Sequence, residues 1–203
     1  MLDASILYQE VLRNLLLWVA AEGGLEPVWS ERILEETRRN LIQDGVLEPE
    51  QWERLRGAML ASFPAAMLDQ AAADAIERDM PNEEKDRHVL ATAVAGDAEL
   101  VITSNLQHFE QVDLEKVSKR AASPDRLLCD LLATQPSVIE AAIEQLVTVM
   151  RTPRPWTPAE LLGRLAGLGH GDALAAQFAA QAAAKLNIQM ASPPEQTAGQ
   201  RGE

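Results

Sequence analysis

Only one cysteine, Cys129, occurs in the 203 residues, inside the apolar run Leu127-Leu128-Cys129. An intrachain disulfide is therefore excluded, a core thiol is expected, and a reducing, cytoplasmic setting fits. Three histidines offer no zinc spacing, and no glycine-rich phosphate loop is present. Gly169-His170-Gly171 is too short for such a loop and reads as a connection between helices. Basic residues are scarce as well: 18 Lys and Arg stand against 31 Asp and Glu, a formal charge of −13. That balance argues against broad, charge-driven binding of nucleic acid, so any phosphate chemistry must use bound cations or a local basic patch. Long hydrophobic runs are missing too. The most apolar N-terminal segment, residues 11 to 21, is short and holds Arg13, which suits neither a signal peptide nor a membrane span.

With 47% hydrophobic and 24% charged residues, the chain can bury a full core. One α/β domain with a smaller appendage is expected. The stretch from Pro81 to Phe109 organises this reading. An acidic turn opens an Ala-rich helix at about Asp86, the helix stops near Gly96, and the β-branched run Leu100-Val101-Ile102-Thr103 follows and ends on Ser104 and Asn105. This is a helix delivered into a buried strand, half of a parallel-sheet unit. Val89 with Ala93 and Leu90 with Val94 define the face that packs on the sheet. Asp86 precedes Val89 and Leu90 by three and four residues and shares that face, so its carboxylate needs compensation: backbone N–H groups and the helix dipole, an Arg, or a metal ion.

Ahead of this stretch, Met1 to Asp3 reads as the end of a strand of which almost none is present, so either translation starts upstream or Asp3 hangs on a terminal residue whose position is poorly fixed. Residues 7 to 22 read as a Leu-rich helix closed by Gly23-Gly24. A short strand over 25 to 29 is interrupted by Pro27, and Ser30 is a good N-cap for a helix over 31 to 43. In that helix Ile33, Leu34, Thr37 and Leu41 share one side; Glu36 lies on its margin and Glu35 nearly opposite. Glu36 can face inward or pair locally with Arg32 or Asn40. Residues 49 to 63 form another amphipathic helix, and 65 to 80 an Ala-rich one. Lys116, Lys119 and Arg120 are the densest basic cluster, read as a solvated loop or a phosphate contact. Ser123-Pro124 starts a helix to about Ala133, and residues 137 to 150 give the next. After a proline-stiffened joint over 151 to 156, the capping box Thr157-Pro158-Ala159-Glu160 starts a helix over 159 to 167. A last helix ends near Leu186, and residues 190 to 203 read as a mobile tail.

Asp3, Glu36 and Asp86 are thus three acids able to turn inward, and in an open α/β sheet the segments past the carboxyl ends of the strands converge on one crevice, as does Asn105. Carboxylates gathered there repel one another. A hard divalent cation, Mg²⁺ or Mn²⁺, is the usual remedy, and it can activate water for hydrolysis of a phosphodiester.

Four segments together, Leu2-Asp3-Ala4-Ser5-Ile6-Leu7, Trp29-Ser30-Glu31-Arg32-Ile33-Leu34-Glu35-Glu36, Asp86-Arg87-His88-Val89-Leu90-Ala91-Thr92-Ala93 and Ile102-Thr103-Ser104-Asn105-Leu106-Gln107-His108-Phe109, resemble the PIN domain. The likeness is strongest to VapC-type toxins with a C-terminal helical extension. It implies a PIN-like α/β fold, a parallel sheet flanked by helices, over residues 1–135, an all-helical extension over 136–188 and a flexible tail over 189–203. It also implies a Mg²⁺-dependent endoribonuclease, neutralised by a cognate antitoxin and often dimeric. Asp3 and Asp86 would be the principal metal ligands, Glu36 a further ligand or water positioner, and Asn105 a hydrogen-bonding support. Arg13, Arg38, Arg39, Lys119 and Arg120 would be the residues meeting RNA phosphates. His108 stands where the family commonly carries an acid. That substitution and the low basic content suit the alternative expectation, a catalytically decayed PIN-like protein that acts by binding partners.

Overall fold

A computed structural model describes residues 1–150, 155–167 and 175–189. Five extended segments lie side by side in their middle, two of them regular strands. The central one is β1 (Leu100–Ile102), which pairs in parallel with β2 (Arg120–Ala122), placing Leu100 opposite Arg120 and Ile102 opposite Ala122. On the other side of β1, Leu2 bridges Ile102, and Asp3 N–H donates to the Ile102 carbonyl at 3.0 Å. Leu2 N–H in turn donates to the Val28 carbonyl at 3.0 Å, and Trp29 bridges Met67. The spatial order is therefore 66–68, 28–29, 1–3, β1, β2. Only β1 and β2 run long enough to be regular strands; Pro27 has no N–H to give, which limits the segment before Trp29 to a single bridge.

Helices cover this narrow sheet: α1 (Ala4–Leu7), α2 (Glu10–Ala21), α3 (Glu31–Gln43), α4 (Pro49–Ser62), α5 (Gln70–Asp74), α6 (Arg87–Ala95), α7 (Gln111–Lys116), α8 (Pro124–Thr134), α9 (Pro136–Val149), α10 (Pro158–Gly167) and α11 (Ala176–Lys185). α6 packs on β1. At its end, Gly96 is required by close approach, since a Cβ there would stand 2.7 Å from Val28 Cγ1. Helix starts follow the chemistry of their caps. Ser123 Oγ accepts from Arg126 N–H, and Thr157 and Glu160 exchange side-chain bonds with each other's backbone N–H groups.

Three local expectations are corrected. The helix expected over 7 to 22 is split, because the Leu7 carbonyl accepts from Arg13 Nη1 at 2.7 Å and Gln9 is extended. The helix expected over 65 to 80 is likewise broken. Met67 is taken into the bridge to Trp29, and Asp69 restarts a short helix by accepting from Ala71 N–H. The basic segment read as a loop includes α7 and β2, whose pairing with β1 no local pattern in Arg120-Ala121-Ala122 announces.

Trp29, Trp52 and Phe178 are fully buried, and Trp29 meets Phe63 edge to face. The helical extension shares this core: α9 packs along α2, and α11 along α8 and α10. Cys129 is buried in α8. The tail over 190 to 203, residues 151 to 154 of the joint and Gly169-His170-Gly171 lie outside the described residues. No helix among the described residues is long and apolar enough to cross a membrane.

Candidate functional site

Asp3 leaves the sheet at the carboxyl end of its segment and becomes the N-cap of α1, so its side chain is turned back over the strand ends. Oδ1 accepts from Ala4 N–H at 2.7 Å, and Oδ2 accepts from Ser5 Oγ at 2.8 Å and Thr103 Oγ1 at 2.7 Å. The residue is 6% exposed. Burial raises the Asp3 pKa above the usual carboxylate value, the charge of Glu36 raises it further, and the three hydrogen bonds oppose both.

Glu36 sits on the margin of α3, its side chain 33% exposed, while Glu35 is 53% exposed and held by Arg38 in a two-pronged ion pair. Helical geometry separates the two glutamates as the sequence leads one to expect. The partner of Glu36 is neither Arg32, which pairs with Glu77, nor Asn40. It is His88 of α6, whose Nε2 lies 3.0 Å from Glu36 Oε2. This hydrogen bond lowers the Glu36 pKa against the opposing effect of burial, and the charges of His88, Arg39 and Arg32 lower it further. His88 is buried, and Thr92 Oγ1, which donates to the His88 carbonyl, also contacts Ser30 Oγ at the start of α3. In the sequence, His88 is marked only by its place two residues beyond Asp86, at the start of an amphipathic helix.

Asp86 closes a single 3₁₀ turn at the entrance to α6. It is not satisfied as an N-cap: its side chain makes no capping hydrogen bond, and Oδ2 is buried without a hydrogen-bond partner. His108 Nδ1 stands 3.3 Å from that oxygen and Lys85 Nζ 3.9 Å. A chain of contacts connects Asp86 with Asp3. His108 N–H donates to the Asn105 carbonyl, Asn105 N–H donates to Thr103 Oγ1 at 3.0 Å, and Thr103 Oγ1 donates to Asp3. Asn105 supports the site through its backbone rather than its side chain.

The basic candidates divide. Arg13 is 5% exposed, and burial lowers its pKa to about 10. It serves the Leu7 carbonyl and is no surface cation. Lys119, its side chain 10% exposed, faces Asp97, and Arg120 faces Glu99. Both lie at the amino end of the β1–β2 pair, the end opposite Asp3 and Thr103. Arg38 is neutralised by Glu35, whereas Arg39 is exposed and its charge reaches Glu36.

Among the described residues no group of three or more His, Cys, Asp or Glu side chains is gathered as a ready-made metal site. The donors nevertheless suit a divalent cation on two counts. Asp3 feels the charge of Glu36, a repulsion that a positive ion would relieve, and Asp86 Oδ2 is a buried oxygen that accepts no hydrogen bond.

A PIN domain family profile matches residues 1–107. "Putative ribonuclease VapC50" of Mycobacterium tuberculosis is 41% identical over 86 residues, which are 42% of this chain and 50% of that relative. The match thus spans about half the length of the curated relative. No solved structure matches the chain. Together with the parallel strand ends that carry Asp3 and Asn105, the profile match leads to one conclusion: the chain belongs to the PIN-domain family.

Proposed function

We propose that the chain is a Mg²⁺- or Mn²⁺-dependent endoribonuclease, the toxin member of a toxin–antitoxin pair, hydrolysing RNA phosphodiester bonds. The observation that carries this reading is the buried Asp3 carboxylate, held over the strand ends by Ser5 and Thr103 and subject to the charge of a second acid, Glu36. The matched relative's description as a ribonuclease supports it.

Asp3 and Asp86 would hold the ion, with Glu36 as a further ligand or a water positioner. When bound, a divalent cation polarises a phosphoryl oxygen and lowers the pKa of water. The remaining work falls to the chain. Ser5 and Thr103 fix the orientation of Asp3 by donating to Oδ2. His88 occupies Glu36 Oε2 and keeps that carboxylate ionised, which leaves Oε1 to accept a proton or a hydrogen bond from water. Arg39, exposed beside Glu36, is the cation best placed to meet an RNA phosphate. With a net charge of −13, substrate contact must be local, and the partners proposed are an RNA substrate, a cognate antitoxin and a second copy of the chain.

A second reading, a PIN-like protein that acts by partner binding, is favoured by His108 and Lys85 beside Asp86 where a metal site gains from negative charge. Cleavage of RNA by the purified chain with Mg²⁺ or Mn²⁺, with EDTA, and by Asp86→Asn separates the two. Metal-dependent cleavage lost in Asp86→Asn supports the nuclease; cleavage that persists in the variant overturns the metal site. Absence of cleavage, together with no thermal shift at millimolar Mn²⁺, supports the binding protein.

A further inference from the structure

Acids gathered in a crevice repel the polyanion they are to cut, so a nuclease with a net charge of −13 needs cations at the mouth of its site. Of the basic residues singled out in the sequence, Arg13 is buried, Arg38 is neutralised, Lys119 and Arg120 lie at the far end of the sheet, and Arg39 remains. The structure adds a second cation. Lys85 stands in the 3₁₀ turn Glu84–Asp86 that opens α6, and its side chain is 60% exposed. Its ammonium lies 3.9 Å from Asp86 Oδ2 and 3.5 Å from His108 Nε2. The contact with His108 is the ammonium's only hydrogen bond among the described residues; Glu83 Oε2, 3.2 Å away, is not aligned for one. Lys85 therefore keeps N–H donors for an incoming oxygen, and its ion pair with Glu83, both side chains more than half exposed, is of a kind that contributes little. His108 steadies the ammonium without neutralising it. With the ring proton on Nδ1, facing Asp86 at 3.3 Å, Nε2 is free to accept from Lys85.

We propose that Lys85 binds a backbone phosphate of the RNA beside Asp86, as a second point of contact to the one that Arg39 makes from α3. The inference rests on the nuclease reading for its substrate, and it adds a residue that holds that substrate. Arg39 belongs to α3 and Lys85 to the turn before α6, the two elements that the His88–Glu36 contact joins, so the two cations stand beside different acids, Glu36 and Asp86. Lysine suits this place. An ammonium is a compact point charge on a flexible four-carbon stem, and it can exchange the weak pair with Glu83 for a charge-assisted hydrogen bond to a phosphate oxygen. The competing role is structural: Lys85 only offsets the charge of Asp86. In that role its loss changes the stability of the fold but not the dependence of RNA binding on salt.

The test uses the full chain and two readouts. Fluorescence anisotropy of a labelled single-stranded RNA in EDTA gives affinity as a function of KCl concentration, and steady-state cleavage in Mn²⁺ gives KM and kcat. For Lys85→Gln the expected results are an affinity about fivefold weaker at low salt, a slope of log affinity against log salt shallower by about 0.7, and a raised KM with kcat within about twofold. Lys85→Arg keeps the wild-type slope. Arg54→Gln, at another exposed cation, on α4, changes neither affinity nor slope. The Lys85 side chain is exposed, so its replacement leaves the core intact. A slope in Lys85→Gln equal to that of the wild type overturns the contact, and metal-dependent cleavage by the wild type then leaves the nuclease reading standing. A slope that falls as far in Arg54→Gln reports diffuse attraction and overturns the contact equally. A fall confined to Lys85→Gln, in a chain that cuts no RNA with Mg²⁺ or Mn²⁺, supports the contact and overturns the nuclease reading. A wild type that binds no RNA overturns the contact outright.

Discussion

His88 Nε2 stands 3.0 Å from Glu36 Oε2 and ties the first turn of α6 to the middle of α3. If this contact holds Glu36 ready for its task, the two adjacent glutamates must behave differently. Glu36→Gln is expected to slow RNA cleavage about 100-fold, and Glu35→Gln less than about twofold. His88→Ala removes the bond that lowers the Glu36 pKa, so cleavage should fall about tenfold and the acid limb of the pH–rate profile should move to higher pH. Single-turnover rates on one RNA substrate check all three variants. Equal losses at Glu35 and Glu36 would contradict the assignment of faces.

Asp3 is held at a cost. Its pKa in the folded chain lies above the ordinary value of 3.8, so the folded state binds its proton more tightly than the unfolded chain does. Stability is therefore lost as pH rises from about the unfolded value through the raised one, and the loss is complete above it. Asp3→Asn escapes this loss. In EDTA the variant should melt higher than the wild type near neutral pH, with an advantage that shrinks as pH falls toward about 4. Mn²⁺ should reverse the order by stabilising the wild type alone. Thermal unfolding across pH with and without Mn²⁺ checks it; an advantage independent of pH would speak against a repelled carboxylate.

Asp125 of α8 is buried, and its Oδ1 accepts from Phe178 N–H at 2.8 Å. The N-cap position of α11 is Ala175, which has no side-chain acceptor, so Asp125 caps α11 from a different helix. Asp125→Ala should cost about 1 to 2 kcal/mol and speed hydrogen exchange first at the Phe178 amide. Unchanged protection there would mean that packing against α8 and α10 alone holds α11.

What the sequence disclosed depended on how local each signal is. Ser123-Pro124 and Thr157-Pro158 mark their helices because an N-cap and the residues it serves are neighbours in the chain. The 3.6-residue period placed Glu36 inward and Glu35 outward for the same reason. Segment β2 carries no local signal because Arg120-Ala121-Ala122 becomes a strand only through its partner. The charge of Arg13 suggests the surface, and only the fold brings the Leu7 carbonyl within its reach and buries it. His88 and His108 acquire meaning from partners more than twenty residues away, Glu36 and Asp86.

The central claim is that Asp3 and Asp86, from separate segments, share one ion. Anomalous scattering from crystals grown with Mn²⁺ tests it most directly. One peak bonded to carboxylate oxygens of both Asp3 and Asp86, and absent in Asp86→Asn crystals, is the predicted result. Density that touches only one of the two, or none at that site at saturating Mn²⁺, would contradict it.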